Sequence, residues 1–156
     1  MKMVMVALGT SEECGMTNQL LEQQTTESII GAFYEVYNIL GSGLFERAYV
    51  GALEYELQLR GHVVRREVPV DISYKGRVVA RYKTDVVVDD RVVIEAKSTS
   101  RLIPDDHRQV INFLRATRWE VGLLLHFGPK ASFYRFVSSN ADPLKYGGVR
   151  SGDRQG

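Results

Sequence analysis

The chain reads as an α/β or α+β domain, a mixed central sheet flanked by helices, with its elements in the order ααβββαββ. Three observations predict this. Apolar residues recur at helical spacing through residues 26–60, and period-2 alternation takes over from residue 64. A continuous apolar run at 121–127, "VGLLLHF", calls for a strand covered on both faces. Length and composition agree. A chain of 156 residues suits one domain with a real core, and 44% apolar against 25% charged residues is an ordinary globular balance.

The elements follow in order. From Thr26, the positions Ile29, Phe33, Val36, Tyr37 and Leu40 mark a first helix, which Gly41-Ser42-Gly43 stops. A second helix is expected from about Leu44 to Arg60, ended by Gly61. Val64, Val68, Val70, Ile72 and Tyr74 alternate as a strand, with Arg66 interrupting that face. "YKGR" is a turn, and Val78 to Val88 reads as the next strand. Asp89-Asp90-Arg91 turns the chain into a strand from Arg91 to Lys97. Pro104 suits the first turn of a third helix, which extends to about Thr117. The strand at 121–127 and one at 132–137 complete the set. Residues 1–24 lack clear periodicity and are expected to be a poorly ordered lead-in. The domain proper is expected over 25–138, with 139–156, rich in Gly, Ser, Asp and Arg, a disordered tail. There is no internal repeat.

Composition also excludes classes of function. A formal net charge of +1 gives no global signature for nucleic acid, so any basic surface must be local. The single cysteine, Cys14, excludes an intrachain disulfide, suits a reducing compartment, and has no histidine beside it to make it a nucleophile. No run approaches the ~18 apolar residues that span a bilayer, and "MKMVMVALG" is shorter than a usual signal-peptide core. The protein is expected to be cytoplasmic. No CxxC pair suggests zinc, and "GSG" lacks a P-loop context. His126, inside "LLLHF", reads as a strand-end or satisfied core histidine.

The chemistry is concentrated in three places. In "VVVDDRVVIEAKSTS", Glu95 and Lys97 stand two residues apart and so share one strand face with Val93, while Val92, Ile94 and Ala96 take the other. The bland reading is a solvated ion pair; the sharp one is a metal-binding carboxylate beside a catalytic lysine. With eleven Glu and six Lys in the chain, about 0.4 such triplets arise by chance, so the triplet decides nothing alone. In the second helix, Glu46 falls in the middle of the stripe formed by Tyr49, Val50, Leu53 and Leu57. A carboxylate buried there needs a cation, a hydrogen-bond network or a proton. Alternatively it faces solvent in the first turn and favours the helix dipole. Asp85 is the third acid, placed in a strand where propensity disfavours it. A three-residue loop at 89–91 gives opposed residues a constant index sum of 180, pairing Asp85 with Glu95 and Val87 with Val93. A two-residue loop would put Asp85 opposite Ile94 and Glu95 on the other face. A shared site therefore demands an odd loop or a bulge, and Glu46 is expected to reach it from a helix packed over that face.

Residues 26–137 resemble the small bacterial GxxExxY proteins, a branch of the PD-(D/E)XK nuclease superfamily. The naming motif stands as Gly43-Leu44-Phe45-Glu46-Arg47-Ala48-Tyr49, followed by Asp85, by Glu95-Ala96-Lys97, and by Gln109 in "QVINFLRAT". The motifs occur in the family's order. The resemblance implies a restriction-endonuclease-like core and a divalent metal held by Glu46, Asp85, Glu95 and the backbone carbonyl of Ala96. One departure stands out: where similar sequences often carry a histidine three residues before the glutamine, this chain has Asp106, with His107 one step on. His107 is therefore not among the expected catalytic residues.

The residue types suit that chemistry. Mg²⁺, or Mn²⁺ in its place, prefers oxygen ligands, keeps several waters, and neutralises charge that builds on a phosphoryl group. Lys97 would orient the attacking water and stabilise developing charge. Gln109 is a candidate for positioning, or merely hydrogen-bonds a backbone group. Tyr49 reads as core. The expected function is metal-dependent hydrolysis of phosphodiester bonds in nucleic acid, DNA ahead of RNA, with a homodimer left open. The alternatives are a nucleic-acid-binding module that keeps the fold without turnover, and an interaction partner, for which no residue speaks.

Overall fold

Where the apolar residues keep helical spacing the chain forms α1 (Asn18–Leu40) and α2 (Glu46–Leu59). The computed structural model describes residues 3–7 and 18–138. The strands are β1 (Met3–Ala7), β2 (Val64–Arg66), β3 (Pro69–Tyr74), β4 (Arg77–Lys83), β5 (Val86–Val88), β6 (Val92–Lys97), β7 (Val121–Phe127) and β8 (Ala131–Ser138), with α3 (Pro104–Ala116) between β6 and β7. The main sheet runs β1-β8-β7-β6-β5-β2, and β3 pairs with β4 apart from it. Among the described strands only β6 and β7 are parallel, joined through α3, so the fold is a mixed α+β sheet flanked by helices, consistent with a restriction-endonuclease-like core. Helix α1 starts before the expected Thr26, and β1 pairs with β8 within the stretch expected as a lead-in. Residues 139–156, expected as a tail, lie outside the described residues.

The sheet is buried on both faces, as the unbroken "VGLLLHF" run requires; every residue of β7 is buried. On one face, Ile29 and Phe33 of α1 and Leu53 and Leu57 of α2 pack on Val92, Ile94, Leu123 and Leu125. On the other, Val110, Phe113 and Leu114 of α3 pack on Val87, Val93, Leu124 and Phe136. Each such side chain removed from water contributes roughly 1.5–3 kcal/mol. The sheet's two faces therefore belong to different helices.

Two expected strands are each two strands. Val64–Tyr74 divides into β2 and β3, and Val78–Val88 into β4 and β5, with β4 starting at Arg77. The breaks face each other. Glu67 adopts a left-handed backbone (φ 51°) and donates its N–H to the Asp85 carbonyl at 3.2 Å, while Thr84 N–H donates to the Val68 carbonyl at 3.0 Å. Beyond this point β3 and β4 leave the main sheet as a hairpin, with Val68 and Val70 folded onto the α3 core. Both pieces stay extended, so period-2 alternation passes through the break without a mark.

The register between β5 and β6 is the expected one. Val86 pairs with Ile94, Val87 with Val93 and Val88 with Val92. Asp89 and Asp90 both take left-handed backbones (φ 52° and 54°), and Arg91 N–H donates to the Val88 carbonyl at 3.0 Å. A tight turn with two left-handed residues plus the extra Arg91 supplies the odd loop. Among the described residues, no helix is long and apolar enough to cross a membrane.

Candidate active site

β6 presents Val93, Glu95 and Lys97 toward α3, because alternate residues of a strand share a face and Val93 lies in the α3 core. β5 ends its pairing at Val86, opposite Ile94, so the last part of β6 has no ladder partner on that side. Asp85 takes the place of the missing strand: its Oδ2 accepts the Ala96 N–H at 2.8 Å. This explains an aspartate in a strand-forming run. It caps a sheet edge with a side chain.

Glu95 is only 3% exposed. Its Oε1 lies 3.2 Å from Lys97 Nζ, and its Oε2 is buried without a hydrogen-bond partner. Lys97 also meets two residues of α3: its Nζ donates to Gln109 Oε1 at 3.3 Å and lies 3.8 Å from Asp106 Oδ1. Asp106 is fixed in turn, since its Oδ2 accepts the Ile103 N–H at 2.8 Å. Sequence reasoning noted Asp106 only as the place of a missing histidine and gave it no role. Its spacing of three from Gln109, which puts both on one helix face, was the available signal.

Glu46 requires a correction. Tyr49, Val50, Leu53 and Leu57 pack in the core that contains Val92, Ile94 and Ala96, the sheet face opposite Glu95. Helix α2 therefore lies on the face away from the carboxylates, contrary to the expectation that it packs over them. Glu46 approaches from the first turn of a helix on the other face, and it is half-buried rather than open to solvent. The preceding loop is held by Tyr49, whose hydroxyl donates to the Gly41 carbonyl at 2.6 Å and accepts from Leu44 N–H at 3.2 Å. The Tyr49 ring stacks on Phe127, with centroids 4.5 Å apart. Gly41 and Gly43 take left-handed backbones (φ 68° and 98°) that suit glycine. Tyr49 is core, and it positions the turn that carries Glu46.

The three acids and the lysine share one electrostatic field. Burial, then Asp85 and Glu46, push the Glu95 carboxyl up to about 8 against the pull of Lys97. Burial raises Asp85 as well, opposed by the Ala96 N–H and Lys97. Glu46 is raised by burial and then by Asp85. Burial works against the Lys97 ammonium, but Glu95, Glu46 and Asp106 outweigh it and hold its pKa above the ordinary lysine value. At neutral pH the ion-free site thus keeps a proton on Glu95 and a full charge on Lys97.

Among the described residues, no group of three or more His, Cys, Asp or Glu side chains stands ready to hold a metal ion. Asp85 is turned to Ala96 N–H and Glu95 to Lys97. The residues still fit a hard divalent cation by chemistry: Glu46, Asp85, Glu95 and the Ala96 carbonyl are all oxygen donors, and Glu95 Oε2 is a buried oxygen without a partner. The remaining candidates stand apart. His126 Nε2–H donates to the Thr99 carbonyl at 2.6 Å and pins the loop after β6, as a satisfied core histidine does. His107 packs its ring edge-on to Tyr134, with centroids 4.7 Å apart. Cys14 lies outside the described residues.

Comparison with known proteins adds the following. The crystal structure of SSO0001 is similar at 20% identity and a TM-score of 0.41, and the match covers 82% of this chain and 64% of that one. The chain thus spans under two thirds of that protein's length. No curated protein matches the sequence. The sequence profile described as the PD-(D/E)XK nuclease superfamily matches residues 23–136, from α1 into β8 and across every acid of the site. On that match over most of its length, the chain belongs to the PD-(D/E)XK nuclease superfamily.

Proposed function

We propose that the protein is a metal-dependent nuclease of the GxxExxY branch, hydrolysing phosphodiester bonds of nucleic acid, DNA ahead of RNA, in the cytoplasm. One observation carries this reading: Glu95 is a buried carboxyl with an unpartnered oxygen, crowded by Asp85 and Glu46 and touched by Lys97. Burying such a group is costly, and without an ion it stays protonated at neutral pH; a bound divalent cation would let it ionise, which gives the buried carboxyl a use. Glu46, Asp85, Glu95 and the Ala96 carbonyl would hold Mg²⁺, with Mn²⁺ able to substitute. Bound there, such an ion supplies a water of lowered pKa and neutralises charge on the phosphoryl oxygens.

The chain's own residues supply the rest. Lys97 acts as a fixed ammonium, since its raised pKa rules it out as a base near neutrality. Gln109 and Asp106 aim it from α3. A donor held in place before charge develops stabilises the transition state at little reorganisation cost. Asp85 links the ligand set to the backbone through Ala96 N–H, so the position of the Ala96 carbonyl depends on it.

The test is a nuclease assay across a metal series on plasmid, linear duplex and single-stranded substrates, with Glu95→Gln and Lys97→Ala purified in parallel. Wild type is expected to cleave with Mg²⁺ or Mn²⁺. Glu95→Gln should lose both cleavage and the thermal stabilisation by metal, and Lys97→Ala only most of the turnover. Equal cleavage by all three proteins assigns the activity to a contaminant. Binding without cleavage under any metal favours the non-catalytic module.

A further inference from the structure

A groove of about 240 Å³ opens between the β3–β4 hairpin and α3, lined by Tyr82, Asp105, Arg108, Gln109, Asn112 and Phe113. Gln109 is the residue that touches Lys97, so the groove adjoins the candidate site. Tyr82 pairs with Val70 across the hairpin and so shares its face toward α3. Alternation along β3 carries Tyr74 onto that same face farther out, and Tyr74 pairs with Arg77. Tyr82 is 49% exposed and Tyr74 63% exposed. The hairpin holds Lys75, Arg77, Arg81 and Lys83 against a single acid, Asp71; Arg77 shares the face of Tyr74 and Tyr82, whereas Arg81, paired with Asp71, and Lys83 alternate to the opposite face. The face of the hairpin that overhangs the groove thus carries two exposed aromatic rings and Arg77.

We infer that this groove is a subsite for one unpaired nucleotide of a single-stranded substrate, with its base stacked on Tyr82 and its flanking phosphates on Arg77 of the hairpin and Arg108 of α3. That it feeds a cleavage site rests on the nuclease reading; the binding itself rests on the groove. Its volume falls below the roughly 300–1,000 Å³ of drug-sized pockets. One flat ring system fits, whereas a duplex keeps its bases stacked inside and offers no free face. Single strands are gripped by a basic track combined with aromatic platforms. The polar lining suits a base edge, since the side-chain amides of Gln109 and Asn112 each offer donors and an acceptor. Among the described residues Arg108 pairs with Asp105 at 3.1 Å, an exposed contact that holds it weakly.

The experiment reads binding without any divalent ion, so its outcome is independent of cleavage. Full-length protein is titrated into a labelled 12-nucleotide single strand and into the same strand as duplex, in EDTA at fixed salt. A 2-aminopurine base in the single strand reports stacking. The expected results are tighter binding of the single strand, quenching of the 2-aminopurine, and loss of both in Tyr82→Ala, with affinity down about tenfold. Tyr82→Phe should restore both. Tyr82→Leu, which keeps an apolar side chain in the groove lining, should behave like the alanine variant. Tyr55→Ala, an exposed tyrosine on α2 across the sheet, should match wild type. Duplex bound as tightly as single strand overturns the inference, as do full affinity in Tyr82→Leu and no binding of either substrate. Cleavage can fail while these results hold, and then only the nuclease reading falls.

Discussion

Raising the pH of the ion-free protein should destabilise it, and most of the effect should trace to one carboxyl. Glu95 titrates near 4.5 when unfolded and at about 8 in the fold, because burial and its acidic neighbours oppose its charge. Below 4.5 both states hold the proton and nothing is lost. Between 4.5 and 8 the unfolded chain releases its proton while the folded one keeps it, so stability falls as pH rises. Above 8 both are ionised and the penalty is complete. At about 1.4 kcal/mol per pH unit the penalty amounts to roughly 4–5 kcal/mol. Against a total of about 5–15 kcal/mol for a domain, that is a large share. For a domain of this size it corresponds to a fall in Tm on the order of 10–20 °C. The assay is thermal unfolding in EDTA from pH 5 to 9 for wild type and Glu95→Gln. The variant keeps the shape and cannot ionise, so its profile should be much flatter and cross above wild type at high pH. Mg²⁺ should restore wild type most at high pH, because the ion binds the ionised carboxylate. A wild-type profile that is flat, or an equal slope in Glu95→Gln, refutes the reasoning.

Three further perturbations separate the supports of the site. Asp85→Asn keeps an acceptor for the Ala96 N–H and removes a charge beside Glu95, so it should hold ion-free stability within about 1 kcal/mol and abolish the metal-dependent rise in Tm; urea unfolding with and without Mg²⁺ measures both. Tyr49→Phe removes the links to the Gly41 carbonyl and Leu44 N–H at a cost of about 1–3 kcal/mol, and it should lower turnover by loosening the turn before Glu46; unchanged stability would show that the loop holds itself. Gly122→Ala places a Cβ 2.5 Å from Val110 Cγ1, so the Val110 side chain or α3 must give way; a cost of about 1–3 kcal/mol is expected, with turnover lost to the extent that α3, which carries Gln109, moves.

The parts of this fold that were legible in the sequence are those governed by short-range periodicity. The buried stripe of α2 and the doubly covered β7 follow from spacing alone, and the register that brings Asp85 beside Glu95 follows once the loop at 89–91 is odd, which spacing left open. What stayed hidden depends on where a segment goes after it forms. The departure of the hairpin turns on the left-handed backbone of Glu67, and alternation is blind to it. The face of the sheet that α2 covers is likewise absent from its own pattern: Tyr49, Val50, Leu53 and Leu57 would pack as well on either side. Asp106 was passed over because only its meeting with Lys97 across two elements gives it meaning.

The two facing breaks in the strands leave the hairpin joined to the sheet by a narrow neck. Two backbone hydrogen bonds, Glu67 to Asp85 and Thr84 to Val68, and the packing of Val68 and Val70 make up that neck. The pairing of Val86–Val88 with Val92–Ile94 is set by the turn at Asp89–Asp90, on the far side of it. Residues added or removed around Lys75 and Gly76 therefore change the hairpin's reach without moving Asp85 against Ala96. Lengthening a surface turn costs little, about 0.6 kcal/mol for each doubling. The hairpin is thus a replaceable attachment: its length and its cations can be varied while the carboxylates stay where they are.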